Sequence, residues 1–256
     1  MPEGLRDAAL DLLLGGACVG CARPGRLLCP DCAAALPAWA RPAWPSPPPA
    51  GLVTPWAAAD YDGTVRALVI GHKEHRLLGL REPLAHLLSL AVAAAVPVGA
   101  VVLVPVPSRP ASVRARGHDP TRAIATRAAY LLRSRGYDAL AHPLLRPRPG
   151  VLDQAGLDAA ARAVNLGGSM CCPSPGVRRL ARLRPWARLV VCDDVITTGA
   201  TAREAQRALE AVGLRVVAIA AVAATRKRLA VAPPESREAG GGDSWGLGLS
   251  SGPATH

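Results

Sequence analysis

The run Leu189-Val190-Val191-Cys192-Asp193-Asp194-Val195-Ile196-Thr197-Thr198-Gly199-Ala200-Thr201 limits the architecture more than any other stretch of the chain. Its opening is apolar and Val-rich, which reads as a strand, Arg188 to Val195, buried on both faces. The strand delivers two adjacent carboxylates to its end. A short Thr and Gly loop follows, and Ala200 to Val212 reads as a helix with Gly213 as its stop. Unpaired N–H groups at a helix start, and its positive dipole end, favour an anion. Gly199 lets backbone approach that anion, and the hydroxyls of Thr197, Thr198 and Thr201 add donors. Asp193 and Asp194 would repel an anion placed directly on them; they suit sugar hydroxyls or a Mg²⁺ ion beside it. A sugar phosphate with vicinal hydroxyls satisfies both halves. The competing reading is an acidic strand end with Thr198 or Thr201 as an ordinary N-cap. A Walker loop and a G-x-G-x-x-G fingerprint are both missing.

The flanking pattern is α/β. A helical pattern runs from about Val65 to Val96, broken near His72 to Glu82. Val101 to Val106 is a short apolar strand, Thr121 to Arg135 an amphipathic helix, and Leu214 to Ala223 another apolar strand. Strand, helix and strand joined by short connections imply parallel pairing, with ligands beyond the carboxyl ends of the strands. Leu87 to Val106 carries no charge and has the length of a membrane span, but Pro97 and Gly99 interrupt it. It reads as a buried helix ending before Pro97 and then a buried strand, so no membrane insertion is expected.

Composition divides the chain of 256 residues into four regions. Residues 1–36 hold Cys18, Cys21, Cys29 and Cys32 in the pattern C-x2-C-x7-C-x2-C. Two close thiol pairs on tight turns can converge as four thiolates around structural Zn²⁺, which supplies folding energy that so small a segment cannot draw from apolar burial. Disulfides or a redox pair are the alternatives. Residues 37–55 are Pro-rich and read as a semi-rigid linker. Residues 56–231 carry the α/β pattern, and 232–256 turn to Pro, Gly and Ser as a disordered tail. Cys171, Cys172 and Cys192 read as plain buried thiols. His72 and His75 flank Lys73 and suit a metal ion or, as lone histidines at a helix break, plain surface groups; the Lys73 cation can reach phosphate oxygens or simply be solvated. Arg109, Arg114 and Arg116 suit pyrophosphate or nucleic acid, or an exposed helix face.

The Asp-Asp-Val-Ile-Thr-Thr-Gly-Ala-Thr run resembles the 5-phosphoribosyl-1-pyrophosphate (PRPP) signature of type I phosphoribosyltransferases. Tyr61-Asp62-Gly63 with Arg66 and Lys73, the Val104-Pro105-Val106-Pro107 run with Arg109, Arg114, Arg116 and Gly117, and the series Gln154, Arg162 and Asn165 extend the resemblance to the ComF family, which joins such a domain to an N-terminal zinc-binding module. The resemblance implies a type I phosphoribosyltransferase-like parallel sheet flanked by helices. It places Asp193 and Asp194 on ribose hydroxyls and Mg²⁺, Thr197, Thr198, Gly199, Ala200 and Thr201 on the 5-phosphate, and Ser108 and Arg109 toward pyrophosphate; the cations Lys73 and Arg116 are read as further PRPP contacts on their charge alone. Residues 154–165 would fall in or beside a mobile covering loop. Many relatives carry Phe-Asn-Gln after the Arg-Gly pair; here His118-Asp119-Pro120 stand there, so no role is carried to those positions.

Two functions follow as expectations. One is pentosyl transfer from PRPP to an acceptor, with pyrophosphate released. The other, implied by the ComF resemblance, is a non-catalytic part in taking up single-stranded DNA in natural competence, beside a DNA-uptake helicase and with PRPP as regulatory ligand. The formal net charge of +11 is compatible with a nucleic-acid partner, although it rests almost wholly on Arg and suits a solvated surface equally. Trp39, Trp44 and Trp56 are the aromatic candidates for base stacking. A transcriptional regulator is disfavoured, since no helix-turn-helix is recognisable. The start of the chain has no basic n-region ahead of an apolar stretch, and a cytoplasmic location is the expectation.

Overall fold

A computed structural model describes residues 16–148 and 168–225. Its centre is a six-stranded sheet built from β1 (Arg41–Pro42), β2 (Pro55–Asp60), β3 (Ala100–Pro105), β4 (Asp138–Ala141), β7 (Arg188–Ile196) and β8 (Val216–Ala224), in the order β1-β2-β8-β7-β3-β4. β2, β8, β7, β3 and β4 pair in parallel, and only β1 runs antiparallel to its neighbour β2. The α/β expectation holds: the sheet is mostly parallel and carries helices on both faces, consistent with a type I phosphoribosyltransferase-like fold. All five parallel carboxyl ends open on one edge, which is where such a sheet places its ligands.

Strand alternation sorts the core into two layers. Val101, Leu103, Val190 and Cys192 pack with α2 (Gly63–Lys73), α3 (Arg81–Ala95) and α5 (Pro120–Arg133). Val102, Val104, Leu189 and Val191 pack with α6 (Ser174–Leu183) and α7 (Ala200–Glu210). The other small elements are α1 (Pro30–Ala34), α4 (Pro110–Arg116) and the two-residue pair β5 (Arg146–Pro147) and β6 (Met170–Cys171). The long helical pattern breaks where expected, with a 3₁₀ turn at Leu78–Leu80 between α2 and α3. Among the described residues, one helical stretch, Leu78–Ala95, is long and apolar enough to cross a membrane. Its Leu84, Leu87, Leu88 and Val92 are fully buried in the core of this fold.

The segment 37–55, read as a linker, is packed onto the body. Arg41–Pro42 adds a strand to the sheet edge, Pro45 and Leu52 are buried, and Gln206 of α7 accepts from Val53 N at 3.0 Å and donates to Gly51 O at 2.9 Å. The cysteine-bearing residues also share the main core, since Val19, Leu27, Leu28 and Leu36 pack against the layer that holds α2 and α3. The readings placed on Gln154, Arg162 and Asn165, and on the tail 232–256, lie outside the described residues.

Leu103 is fully buried in the central strand β3. Leu103→Ala is expected to destabilise the chain by about 2–5 kcal/mol, read as a lower urea midpoint at unchanged slope.

Candidate functional site

The site grows from the end of β7. Successive side chains of a strand face opposite ways, so Asp193 and Asp194 serve two faces of the sheet. Asp194 is buried and turns toward α2, where its Oδ2 lies 2.6 Å from Lys73 Nζ. Its Oδ1 accepts from Val195 N at 2.8 Å. Asp193, partly buried, accepts from Asp194 N at 2.8 Å. Burial, with the Asp194 charge beside it, pushes the Asp193 carboxyl well above the usual carboxylate range, and the Asp194 N–H and the Lys73 ammonium offset this only in part. For Lys73, burial opposes the charge but the Asp194 carboxylate outweighs it, so the ammonium is held above its ordinary value. Among the described residues, two acids paired with the Lys73 cation leave room for a second positive charge. A hard divalent ion would relieve the strain on Asp193, so the donor set fits the Mg²⁺ expected here.

Past Ile196 the chain forms the anticipated loop. Thr197 and Thr198 are exposed, while Gly199 and Ala200 are buried and Thr201 is partly so. Gly199 is the N-cap of α7, at φ 74°, a left-handed conformation that favours glycine. It brings no capping side chain, and Thr198 Oγ reaches Ala200 N only at 3.4 Å. The N–H groups that open α7 thus carry no cap beyond that long bond, an arrangement that suits an anion. A Cβ at Gly199 would meet Pro45 Cγ at 2.9 Å, so the proline-rich segment braces this loop from outside.

The second signature forms the neighbouring wall. The backbone leaves β3 through Val106, whose N donates to Cys192 O at 2.8 Å. Ser108 Oγ bonds Asp119 Oδ1 at 3.0 Å, and the same oxygen of Asp119 accepts from Arg122 N to cap α5. Asp119, at the position where the resemblance gave no role, thus ties the loop to a helix. Arg109 is the N-cap residue of α4. Arg116 is paired with Glu74: its Nη2 donates to both carboxylate oxygens, at 2.8 and 3.0 Å. Arg76 donates to Ala115 O beside it, and Arg114 is exposed.

The sequence reading missed Glu74, because a single acid after a helix carries no pattern. It also placed His72 at the surface. His72 is fully buried, with its ring edge-on to His118 at 5.5 Å between centroids, and burial holds it below the usual imidazole range. His75 is exposed, as read.

The four cysteines of the N-terminal pattern come together. Their sulfurs all lie within 4.8 Å of one another, and Cys21 and Cys29 approach to 3.6 Å. Four thiolates on a tetrahedral zinc at about 2.3 Å stand roughly 3.8 Å apart, so the cluster fits that ion. Burial raises the Cys18 thiol, but the N–H groups of Cys29, Cys21 and Gly20 outweigh it and set it at about 6. Cys32, the proton donor to Cys29 and partly desolvated, is pushed up to about 12. A zinc ion would displace the thiol protons as it binds. Four sulfur ligands leave no open position, which assigns such an ion a structural part.

Against known proteins, no family model matches the chain. Over 47 residues it is 43% identical to an orotate phosphoribosyltransferase of Sulfurovum sp. (strain NBC37-1), a stretch covering 18% of this chain and 23% of that protein. The chain is similar there to a phosphoribosyltransferase. The matched stretch spans about a quarter of the relative's length, so the likeness reaches part of a type I phosphoribosyltransferase and says nothing of ComF.

The Asp193 shift has a definite sign. A carboxyl whose folded pKa is raised binds more protons in the native state, so stability falls as pH rises from about 4 toward the folded value. Asp193→Asn is expected to stabilise the ligand-free chain by about 0.5–2 kcal/mol at pH 8, with the gain shrinking toward pH 4, read from Tm across pH.

Proposed function

We propose that the chain binds PRPP with Mg²⁺ and transfers the phosphoribosyl group to an acceptor, releasing pyrophosphate. The observation that carries this reading is the acid pair at the end of β7 placed directly before the uncapped, glycine-led start of α7. The partial likeness to a phosphoribosyltransferase supports it. In this reading the amides of Ala200 and Thr201, with the hydroxyls of Thr197, Thr198 and Thr201, hold the 5-phosphate. Asp193 and Asp194 accept from the ribose hydroxyls. Lys73 and the loop with Ser108 and Arg109 face the pyrophosphate, and Arg116 reaches it only by leaving Glu74. The C1–O bond to pyrophosphate breaks, the acceptor's lone pair forms the new bond at C1, and the fixed charges stabilise the departing anion and the cationic ribose between them. Bound Mg²⁺ would supply charge neutralisation on the pyrophosphate.

PRPP with Mg²⁺ at a hundred times Kd should stabilise the chain by about 2.7 kcal/mol, roughly 5–10 °C in Tm. Asp194→Asn is expected to lose most of that shift, and an undiminished shift would remove the acid pair from the site. Pyrophosphate release measured over a panel of nucleobases, orotate included, tests the transfer step.

The alternative reading, a ComF-like accessory factor that handles single-stranded DNA with PRPP as regulator, is favoured by α6 and the turn after it. Residues 168–192 include five arginines and no carboxylate. Arg178, Arg179 and Arg182 line one hollow of about 320 Å³ on α6, and Trp186 beyond its end is 92% exposed. Val177 and Leu180 of the same helix face the core, and Leu183 is exposed beside the arginines. Guanidinium groups and a bare indole suit phosphates and unstacked bases. Trp39 and Trp44 are also exposed, whereas Trp56 packs against the core. Replacing Arg178 and Arg182 together by Ala is expected to lower the log–log salt slope of oligo-dT binding by about 1.4. An unchanged slope counts against this face.

A further inference from the structure

α2 meets the cysteine cluster at its first turn and the acid pair at its last residue. Both contacts are tight enough to transmit position. At the first turn, a Cβ on Gly20 would lie 2.9 Å from Cys32 Sγ and 3.0 Å from both Cγ2 and Oγ1 of Thr64. The backbone between Cys18 and Cys21 is therefore wedged between a metal-ligating sulfur and the start of the helix. Near the far end, a Cβ on Gly71 would meet Leu80 Cδ1 at 2.7 Å and Val19 Cγ1 at 3.7 Å. Val19 lies between the first two cysteines and reaches a residue only two places before Lys73. Lys73 then meets Asp194 at 2.6 Å, and Glu74 meets Arg116 at 2.8 Å.

We propose that α2 is a positioning strut, through which the metal-loaded cysteine cluster fixes Lys73 at Asp194 and Glu74 at Arg116, so that zinc binding and PRPP binding favour each other. The reason is mechanical. Residues 16–36 are too few to hold their turns without a metal. When those turns loosen, Val19, Leu27 and Leu28 leave the layer they share with α2. The helix then loses the surface that sets its height and tilt, and a rigid helix displaced at one end displaces Lys73 at the other. Thr64 and Lys73 are about 14 Å apart along the axis, so no direct field from the metal is needed. Gly20 is the positioning residue, since a Cβ there would meet Cys32 Sγ at 2.9 Å and Thr64 at 3.0 Å.

This inference rests on the phosphoribosyl reading of the Asp193–Asp194 site, and the experiment separates the two. PRPP affinity of the full chain is measured by calorimetry in Mg²⁺, zinc-loaded and after treatment with a chelator that takes zinc and spares magnesium. Zinc affinity is measured by chelator competition with and without PRPP. The expected result is a loss of PRPP affinity of roughly 5- to 150-fold on zinc removal, with zinc affinity raised by the same factor when PRPP is present, because linkage is reciprocal. Gly20→Ala retains all four thiols. It is expected to keep one zinc per chain by metal analysis while PRPP binding weakens, which covers the case in which the stripped chain unfolds. Equal PRPP affinity in the loaded and stripped chains, or in zinc-loaded Gly20→Ala and the parent, overturns the strut. If the zinc-loaded parent binds no PRPP, the phosphoribosyl reading fails. Hydrogen exchange at residues 71–74 then decides the strut alone: faster exchange on zinc removal supports it, and unchanged exchange overturns it.

Discussion

Two neighbouring carboxylates at the end of a buried strand cannot be left to themselves. Each ion in a low-dielectric position carries a desolvation cost, and the second carries the repulsion of the first as well. This chain answers with one cation, Lys73, set against Asp194 from a different helix. Asp193 keeps its burden, with its carboxyl raised by burial and by its neighbour. Much of the fold serves that arrangement. β7 lies in the middle of the sheet, flanked by β8 and β3, so the acids are held on a strand with no freedom to withdraw. The site stores an excess of negative charge that a further cation would relieve.

The surroundings of the site are held by contacts between remote segments. The proline-rich stretch closes on Gly199 from outside and is pinned by Gln206. Asp119 both caps α5 and restrains Ser108. Glu74 fixes the Arg116 guanidinium, joining the end of α2 to α4. These pairs are separated by up to 155 residues in sequence, so the local rules that shape a loop or a helix end do not reveal them. They fix the loops before ligand arrives, which lowers the ordering entropy that binding must meet.

The elements legible in advance were those whose apolar pattern is long or whose ends are punctuated. β3, β7, α5 and α7 fall where periodicity and Gly213 put them. β2 was missed because Pro55–Asp60 is an alanine-rich run with no β-branched residue, and pairing with β8 overrides that weak propensity. α6 was missed because its Arg-rich outer face leaves few apolar positions to read a period from. His72 was misplaced because a histidine beside a helix break looks solvated until the 3₁₀ turn and His118 cover it.

Adjacency along the chain was enough for the chemistry that depends on it. Asp193, Asp194, the Thr loop and Gly199 are consecutive, so strand, acids and helix start follow from local rules. The paired C-x2-C turns announce a four-thiolate cluster in the same way. Assembly in three dimensions decided everything that joins distant segments. It set Lys73 on Asp194, Glu74 on Arg116, the proline-rich stretch on Gly199 and the cysteine turns on α2. Such contacts form only when the two faces of the sheet bury their apolar layers and carry their helices into range, and burial of area has no sequence neighbour to mark it.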